Sequence, residues 1–176
     1  DALLAGQLNE FSQLLASNRP IKAVLVKTTF CEPEEAAQLF RREIGPFAIG
    51  HRNPYVLQGS AIRPGELVAG LQRGLTAFAP AVIHLLAPDW PVQEGGGAFL
   101  HLSAAIEGRA FPGFAYDSQR GPRWGSRFDI ANNPQADDDW PEHPLTFAGG
   151  DGETATWSVH FTFADFAALE APYAAY

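Results

Sequence analysis

The chain has 176 residues and a formal net charge of −8, and 46% of its residues are hydrophobic whereas 18% are charged. This length suits one globular domain with a sizeable core, and the composition excludes a disordered or fibrous protein. The acidic balance lacks the basic surface of a nucleic-acid-binding protein, and no apolar run in the sequence is long enough to cross a bilayer. We therefore expect neither a nucleic acid nor a membrane as a partner. The single cysteine, Cys31, excludes an iron–sulfur cluster built from this chain alone.

The first part of the chain alternates helical patterns with short apolar runs. Leu4, Leu8, Phe11 and Leu15 fall at helical spacing and predict a first helix. Apolar runs without alternation are typical of strands that are buried on both faces, as in a parallel sheet. Such strands are predicted at residues 21–26, 55–57 and 81–86, with a fourth short strand at 114–116. Further helices are predicted from Pro33 to near Gly45-Pro46, after Pro64 and around 99–106.

These elements predict an α/β fold over residues 1–116, because helices that alternate with fully buried strands form right-handed βαβ units. We expect an open parallel sheet with helices on both of its faces.

The remaining residues, 117–176, predict an irregular C-terminal arm that packs on this domain. The alternation of apolar residues over 157–163 indicates a half-buried strand, and a short helix follows from Asp165. Three aromatic residues of the arm are expected to order it by packing on the α/β domain or on a partner chain: Trp124, Phe128 and Trp140.

Polar residues follow the first two predicted strands at the point where each strand ends. Thr28 and Thr29 follow the first strand, and Gln58, Gly59 and Ser60 follow the second. In an open parallel sheet, ligands bind beyond the carboxyl ends of the strands. Hydroxyl and backbone groups next to helix N-termini suit a phosphate or a metal diphosphate. The sequence therefore predicts a cofactor site at this edge of the sheet.

The five histidines are not at metal-ligand spacing from one another. His84 falls inside the third predicted strand, and we expect it to be a hydrogen-bonded core residue or to lie at the edge of a pocket.

Four stretches of the chain carry a resemblance to a known family. They are residues 8–28, 55–61, 79–84 and 104–117, with the sequences LNEFSQLLASNRPIKAVLVKT, YVLQGSA, APAVIH and AAIEGRAFPGFAYD. In this order and spacing they resemble the thiamine-diphosphate-binding domain of the pyruvate:ferredoxin oxidoreductases and related 2-oxoacid oxidoreductases. The resemblance extends to about residue 139.

The resemblance implies a thiamine-diphosphate-binding-like fold and a part in the oxidative decarboxylation of a 2-oxoacid, with the electrons passing to iron–sulfur centres elsewhere. It implies thiamine diphosphate and magnesium as cofactors, held by the residues after the first two strands. Thr28 matches the family's metal-binding threonine, Phe30 takes the place of its carbonyl ligand, and Glu32 is a candidate replacement ligand. It also implies a cytoplasmic, oligomeric assembly with other domains or subunits.

The chain also departs from the family pattern. The family's G-D-G motif would fall at or before Asp1, and Pro33 stands where the family loop has asparagine. The carboxylates of Glu32, Glu34 and Glu35 would repel a diphosphate. The alternative is therefore a catalytically degenerate copy that serves as a structural or docking module, and we expect weak or no binding of thiamine diphosphate by this chain alone. A third alternative is an unrelated secreted binding protein.

Overall fold

The computed structural model of the chain describes residues 7–28, 43–87, 97–131, 133, 140–150 and 152–170. The α-helices in these ranges are α1 (Leu8–Ala16), α2 (Ile44–Gly50), α3 (Pro64–Thr76), α4 (Gly97–Glu107) and α5 (Phe163–Leu169). The strands are β1 (Lys22–Lys27), β2 (Tyr55–Ser60), β3 (Ala81–Leu86), β4 (Phe114–Tyr116), β5 (Phe128–Asp129), β6 (His143–Ala148) and β7 (Thr154–Val159).

Five strands form one sheet in the order β1-β3-β2-β4-β5. β3 lies between β1 and β2 and runs parallel to both, so that Ile83 pairs with Val24 on one side and with Leu57 on the other. The three strands predicted from apolar runs are therefore confirmed as a parallel core, and the α/β class is confirmed with them.

The sheet as a whole is mixed, and the prediction of an open, fully parallel sheet was wrong at one edge. β4 runs antiparallel to β2, and β5 runs antiparallel to β4. The reason lies in where α4 ends. Ile106, at the end of α4, lines the same cavity as Ser60 at the carboxyl end of β2. The chain therefore enters β4 at the carboxyl end of β2, so β4 must run antiparallel to β2.

Helices cover both faces of β2 and β3, as predicted. The expected burial of the first strand on both faces was wrong, because β1 lies at the edge of the sheet and its Val24 and Val26 are 56% and 52% exposed. Neighbouring residues of a strand point to opposite faces. On one face, Leu57 packs in a cluster with Leu67 and Leu71 of α3. On the other face, Val56 packs in a cluster that includes Phe11 of α1, together with α2. The connection from β1 to β2 carries α2 on one face of the sheet, and the connection from β2 back to β3 carries α3 on the other face. Because the two connections run in opposite directions along the sheet, crossovers of the same hand place their helices on opposite faces.

The helix α2 begins where the sequence suggested that a helix would end. The helix predicted from Pro33 lies outside the described residues, and the Gly45-Pro46 pair that was expected to terminate it falls in the first turn of α2. A proline is tolerated there because the first N–H groups of a helix have no intrahelical partner.

The C-terminal arm contacts the α/β domain through its aromatic residues, as predicted. The rings of Trp124 and Phe128 lie 5.3 Å and 5.1 Å from that of Tyr116 on β4. The guanidinium of Arg109 lies 5.4 Å from the ring of Trp140.

The end of the arm forms a hairpin and a helix. β6 and β7 pair antiparallel in a sheet of their own, and β7 occupies Thr154–Val159 where the strand was predicted at 157–163. In α5, the buried Phe166 packs against α4, and Thr162 and Asp165 cap its N-terminus reciprocally. In the described ranges, the helices are all too short or too polar to cross a membrane.

Candidate functional site

The carboxyl ends of β1 and β2 lie at one edge of the sheet, on either side of β3. Thr28, just after β1, is exposed, whereas Gln58 and Ser60, at the carboxyl end of β2, are buried. At the usual strand spacing the two ends are about 10 Å apart. The structure therefore brings these predicted residues to the same edge, while Thr29, Phe30 and Glu32 lie outside the described residues.

The side chain of Gln58 is held inside the protein. Its Nε2 donates a hydrogen bond to the carbonyl of Pro112 at 3.0 Å, and its Oε1 accepts one from Nδ1 of His84 at 3.1 Å. A β-carbon at Gly45 of α2 would lie 2.7 Å from Oε1, so the helix can approach the amide this closely because that residue is glycine. The amide is thus already paired with protein groups.

His84 is a neutral imidazole in this environment. It is 4% exposed, and burial, followed by the positive charge of Lys27, lowers its pKa to about 4. Because the Gln58 amide accepts at Oε1, the His84 proton resides on Nδ1. Its Nε2 is buried and has no hydrogen-bond partner within the described ranges. His84 is therefore hydrogen-bonded at Nδ1, as expected of a core histidine, whereas the lone pair of Nε2 is not used by any described residue.

Ser60 contributes to the turn between β2 and α3. Its side chain is 2% exposed, and its Oγ accepts a hydrogen bond from the backbone N–H of Ile62 at 3.5 Å. This arrangement satisfies a backbone donor at the start of the loop that leads into the helix. The hydroxyl therefore has a local structural role.

Gly59 lines a cavity of about 160 Å³ in the gap that opens between β2 and β4 beyond their last paired residues. We call this gap the fork. Pairing between these strands ends at Gln58 and Phe114. Beyond that point, the Asn133 side chain accepts from the N–H of Gly113 at 3.1 Å and donates to its carbonyl. Asn133 thus takes the place of a strand partner for Gly113, and the fork stays open beside Gly59.

Charged side chains surround this fork in two groups. In one, Nη2 of Arg63 lies 3.2 Å from Oε1 of the buried Glu107, whose Oε2 lies 2.8 Å from Nε2 of His143. In the other, Asp129 lies 3.9 Å from Arg73 and 3.5 Å from Arg120. The sequence does not reveal these residues, because their ion-pair partners come from distant segments of the chain.

The described residues do not fit a diphosphate with its magnesium ion. The metal needs several oxygen ligands, carboxylates above all. Gln58 and Ser60 are bonded to the protein itself, and Asp129 is held by two arginines. Within residues 7–28, 43–87 and the later described ranges, no three histidine, cysteine or acidic residues are grouped as metal ligands.

Neither a protein-family model nor a curated protein sequence matches the chain.

Proposed function

We propose that this chain is a thiamine-diphosphate-binding-like domain of a protein related to the 2-oxoacid:ferredoxin oxidoreductases, and that it works in the cytoplasm with other domains or subunits that hold the iron–sulfur centres. One observation supports this most directly. The parallel core β1-β3-β2 places Thr28 and residues 58–60 at a single edge. These are the segments through which the sequence resembles that family.

A second candidate is favoured by the internal bonding of the same edge. The Gln58 amide and the Ser60 hydroxyl are used by Pro112, His84 and Ile62. A domain whose strand-end side chains are committed in this way serves the assembly as a catalytically degenerate structural or docking module. In this form the chain keeps the fold of the family without its cofactor chemistry.

Calorimetric titration with thiamine diphosphate and magnesium separates the two candidates. For this chain we expect weak or no binding, because Pro33 replaces the asparagine of the family loop, and the loss of one charge-assisted contact lowers affinity by about one to two decades. Thr28→Ala should abolish any binding that remains, whereas Cys31→Ser should change it little. Micromolar, magnesium-dependent binding that Thr28→Ala removes would reject the degenerate module and favour the cofactor-binding domain.

A further inference from the structure

The fork cavity has a definite size, and part of its wall is apolar. Leu57, Leu67, Ile106 and Phe114 contribute to its wall, and its volume is about 160 Å³. Apolar cavities of about 150 Å³ hold molecules as large as benzene. A β-carbon at Gly59 would meet no atom within 4 Å, so the wall at the end of β2 leaves this space open. The interior therefore suits a branched aliphatic side chain.

One flank of α3 supplies charges of both signs to the cavity. Gly70 faces the sheet, because a β-carbon there would lie 2.6 Å from Leu57. Glu66, Ala69 and Arg73 line the cavity from the neighbouring flank, and Arg63 lines it from the N-cap position of the helix. The small side chain of Ala69 leaves room between the two charged residues on either side of it.

Arg63 and Glu66 form a matched pair of binding groups at the mouth. Arg63 uses Nη2 for Glu107 and its side chain is 36% exposed, so other N–H donors of its five remain for a ligand. Glu66 is exposed and has no ion-pair partner in the part of the chain that the structure describes. Residues three apart on a helix have β-carbons about 5–6 Å apart. Their head groups can therefore reach one carboxylate and one ammonium that share a carbon atom.

The charges around the cavity balance. Three guanidinium groups accompany three carboxylates: Arg63, Arg73 and Arg120 with Glu66, Glu107 and Asp129. A mouth without net charge gives little attraction to a multiply charged anion such as a phosphate. It suits a ligand that carries one positive and one negative group.

We propose that the fork cavity binds a small apolar α-amino acid of the size of valine or leucine. Its carboxylate pairs with Arg63, its ammonium pairs with Glu66, and its side chain enters the apolar fork beside Gly59. This cavity shares residues 58–60 with the strand-end edge but lies on the β4 side of β2, away from Thr28. The proposal does not depend on the domain's relation to the oxidoreductases.

Calorimetric titration of the full chain with L-leucine and L-valine tests the proposal. We expect saturable binding of both. Both the carboxylate and the ammonium of the ligand should contribute to binding. We therefore expect affinities about tenfold lower, or lower still, for 4-methylpentanoate, which lacks the ammonium, and for isoamylamine, which lacks the carboxylate. Inorganic phosphate should not compete with L-leucine.

Two variants with matched controls locate the binding. Gly59→Leu fills the cavity and should lower the affinity for L-leucine about tenfold or more, whereas Gly65→Leu, at an open surface position of α3, should not. Glu66→Gln should weaken binding of L-leucine while leaving that of 4-methylpentanoate unchanged, and Glu10→Gln, in the first turn of α1, should alter neither. Absence of leucine and valine binding, full retention in a folded Gly59→Leu variant, or equal affinity for the carboxylate alone would overturn the proposal.

Discussion

The Gln58 amide joins three segments of the chain that are far apart in sequence. It donates to the carbonyl of Pro112, before β4, and accepts from His84 on β3. His84 is buried and Pro112 is half-buried, and a polar group without a hydrogen bond is costly in such a place. At the scale of single residues, this amide is therefore a main determinant of how the carboxyl edge of the sheet is assembled.

Replacing Gln58 by leucine should destabilise the protein. Gln58→Leu leaves Nδ1 of His84 and the Pro112 carbonyl unpaired, and we expect the free energy of unfolding to fall by about 2–4 kcal/mol. Urea denaturation followed by circular dichroism measures it. Gln72→Leu, at an exposed position of α3, is the matched control and should change the stability little. Equal stability of the two variants would contradict the structural role of the amide.

His84 should make the stability depend on pH. Burial lowers its pKa to about 4 in the folded protein, whereas an unfolded chain has a histidine pKa near 6.5. Between these values the unfolded state binds more protons, so the contribution of His84 is present above about pH 6.5 and is lost as the pH falls towards 4. The loss should reach about 3 kcal/mol by pH 4.

Denaturation at a series of pH values, compared between the wild type and His84→Gln, isolates this contribution. The variant lacks the titrating group, and its free energy of unfolding should fall less steeply between pH 6.5 and 4. Parallel curves for the two proteins would show that another group dominates acid unfolding.

At the scale of elements, α3 lies very close to the sheet because two of its three glycines face the sheet. A β-carbon at Gly70 would lie 2.6 Å from Leu57, and one at Gly74 would lie 2.9 Å from Tyr55. The Tyr55 hydroxyl uses this proximity to donate to the carbonyl of Gly70 at 2.9 Å. The packing of α3 on β2 therefore compensates for the low helix propensity of glycine.

Gly70→Ala and Gly65→Ala should have opposite effects on stability. Both replacements gain helix propensity, up to about 1 kcal/mol. At Gly70 the new methyl group collides with Leu57, and overpacking of this kind costs about 1–3 kcal/mol, so a net loss is expected. At Gly65 no atom lies within 4 Å, so a small gain is expected. Thermal denaturation of both variants measures the difference, and a Gly70→Ala protein as stable as Gly65→Ala would contradict the close packing.

At the scale of the whole molecule, Glu107 connects parts of the chain that the sheet does not join. Its carboxylate, 4% exposed, pairs with Arg63 at the start of α3 and with His143 at the start of β6. The β6–β7 hairpin forms a sheet of its own, and a two-stranded ribbon is marginally stable in isolation. The pairing with His143 therefore helps to hold the hairpin on the α/β domain.

Glu107→Gln should loosen the hairpin selectively. The amide retains one acceptor but loses the charge that attracts Arg63 and His143, so we expect faster hydrogen exchange in β6 and β7 than in β2 and β3. Exchange monitored by mass spectrometry resolves these segments. Glu10→Gln, at an exposed position of α1, serves as the control. Unchanged exchange in the hairpin of the Glu107 variant would show that other contacts hold it.

The sequence by itself determined the class of fold, the three parallel strands and the helices α1, α3 and α4. Apolar runs marked β2 and β3, because these strands are buried on both faces and need apolar residues throughout. The apolar run of β1 also marked a strand, although one face of that edge strand is exposed. Helical spacing marked α1 and α3 for a similar local reason. The prediction that polar residues at the ends of β1 and β2 share one edge also followed from local pattern, because parallel strands end on the same side of a sheet.

Tertiary structure alone decided the direction of β4 and the use of each side chain at the edge. Three apolar residues at 114–116 carry no signal for strand direction, which depends on where α4 delivers the chain. Gln58 looked like a ligand because its residue type suits one, but its partners, Pro112 and His84, come from other segments. The charges of the fork meet for the same reason: Arg73 and Asp129 are distant in sequence and become neighbours when β5 joins the sheet.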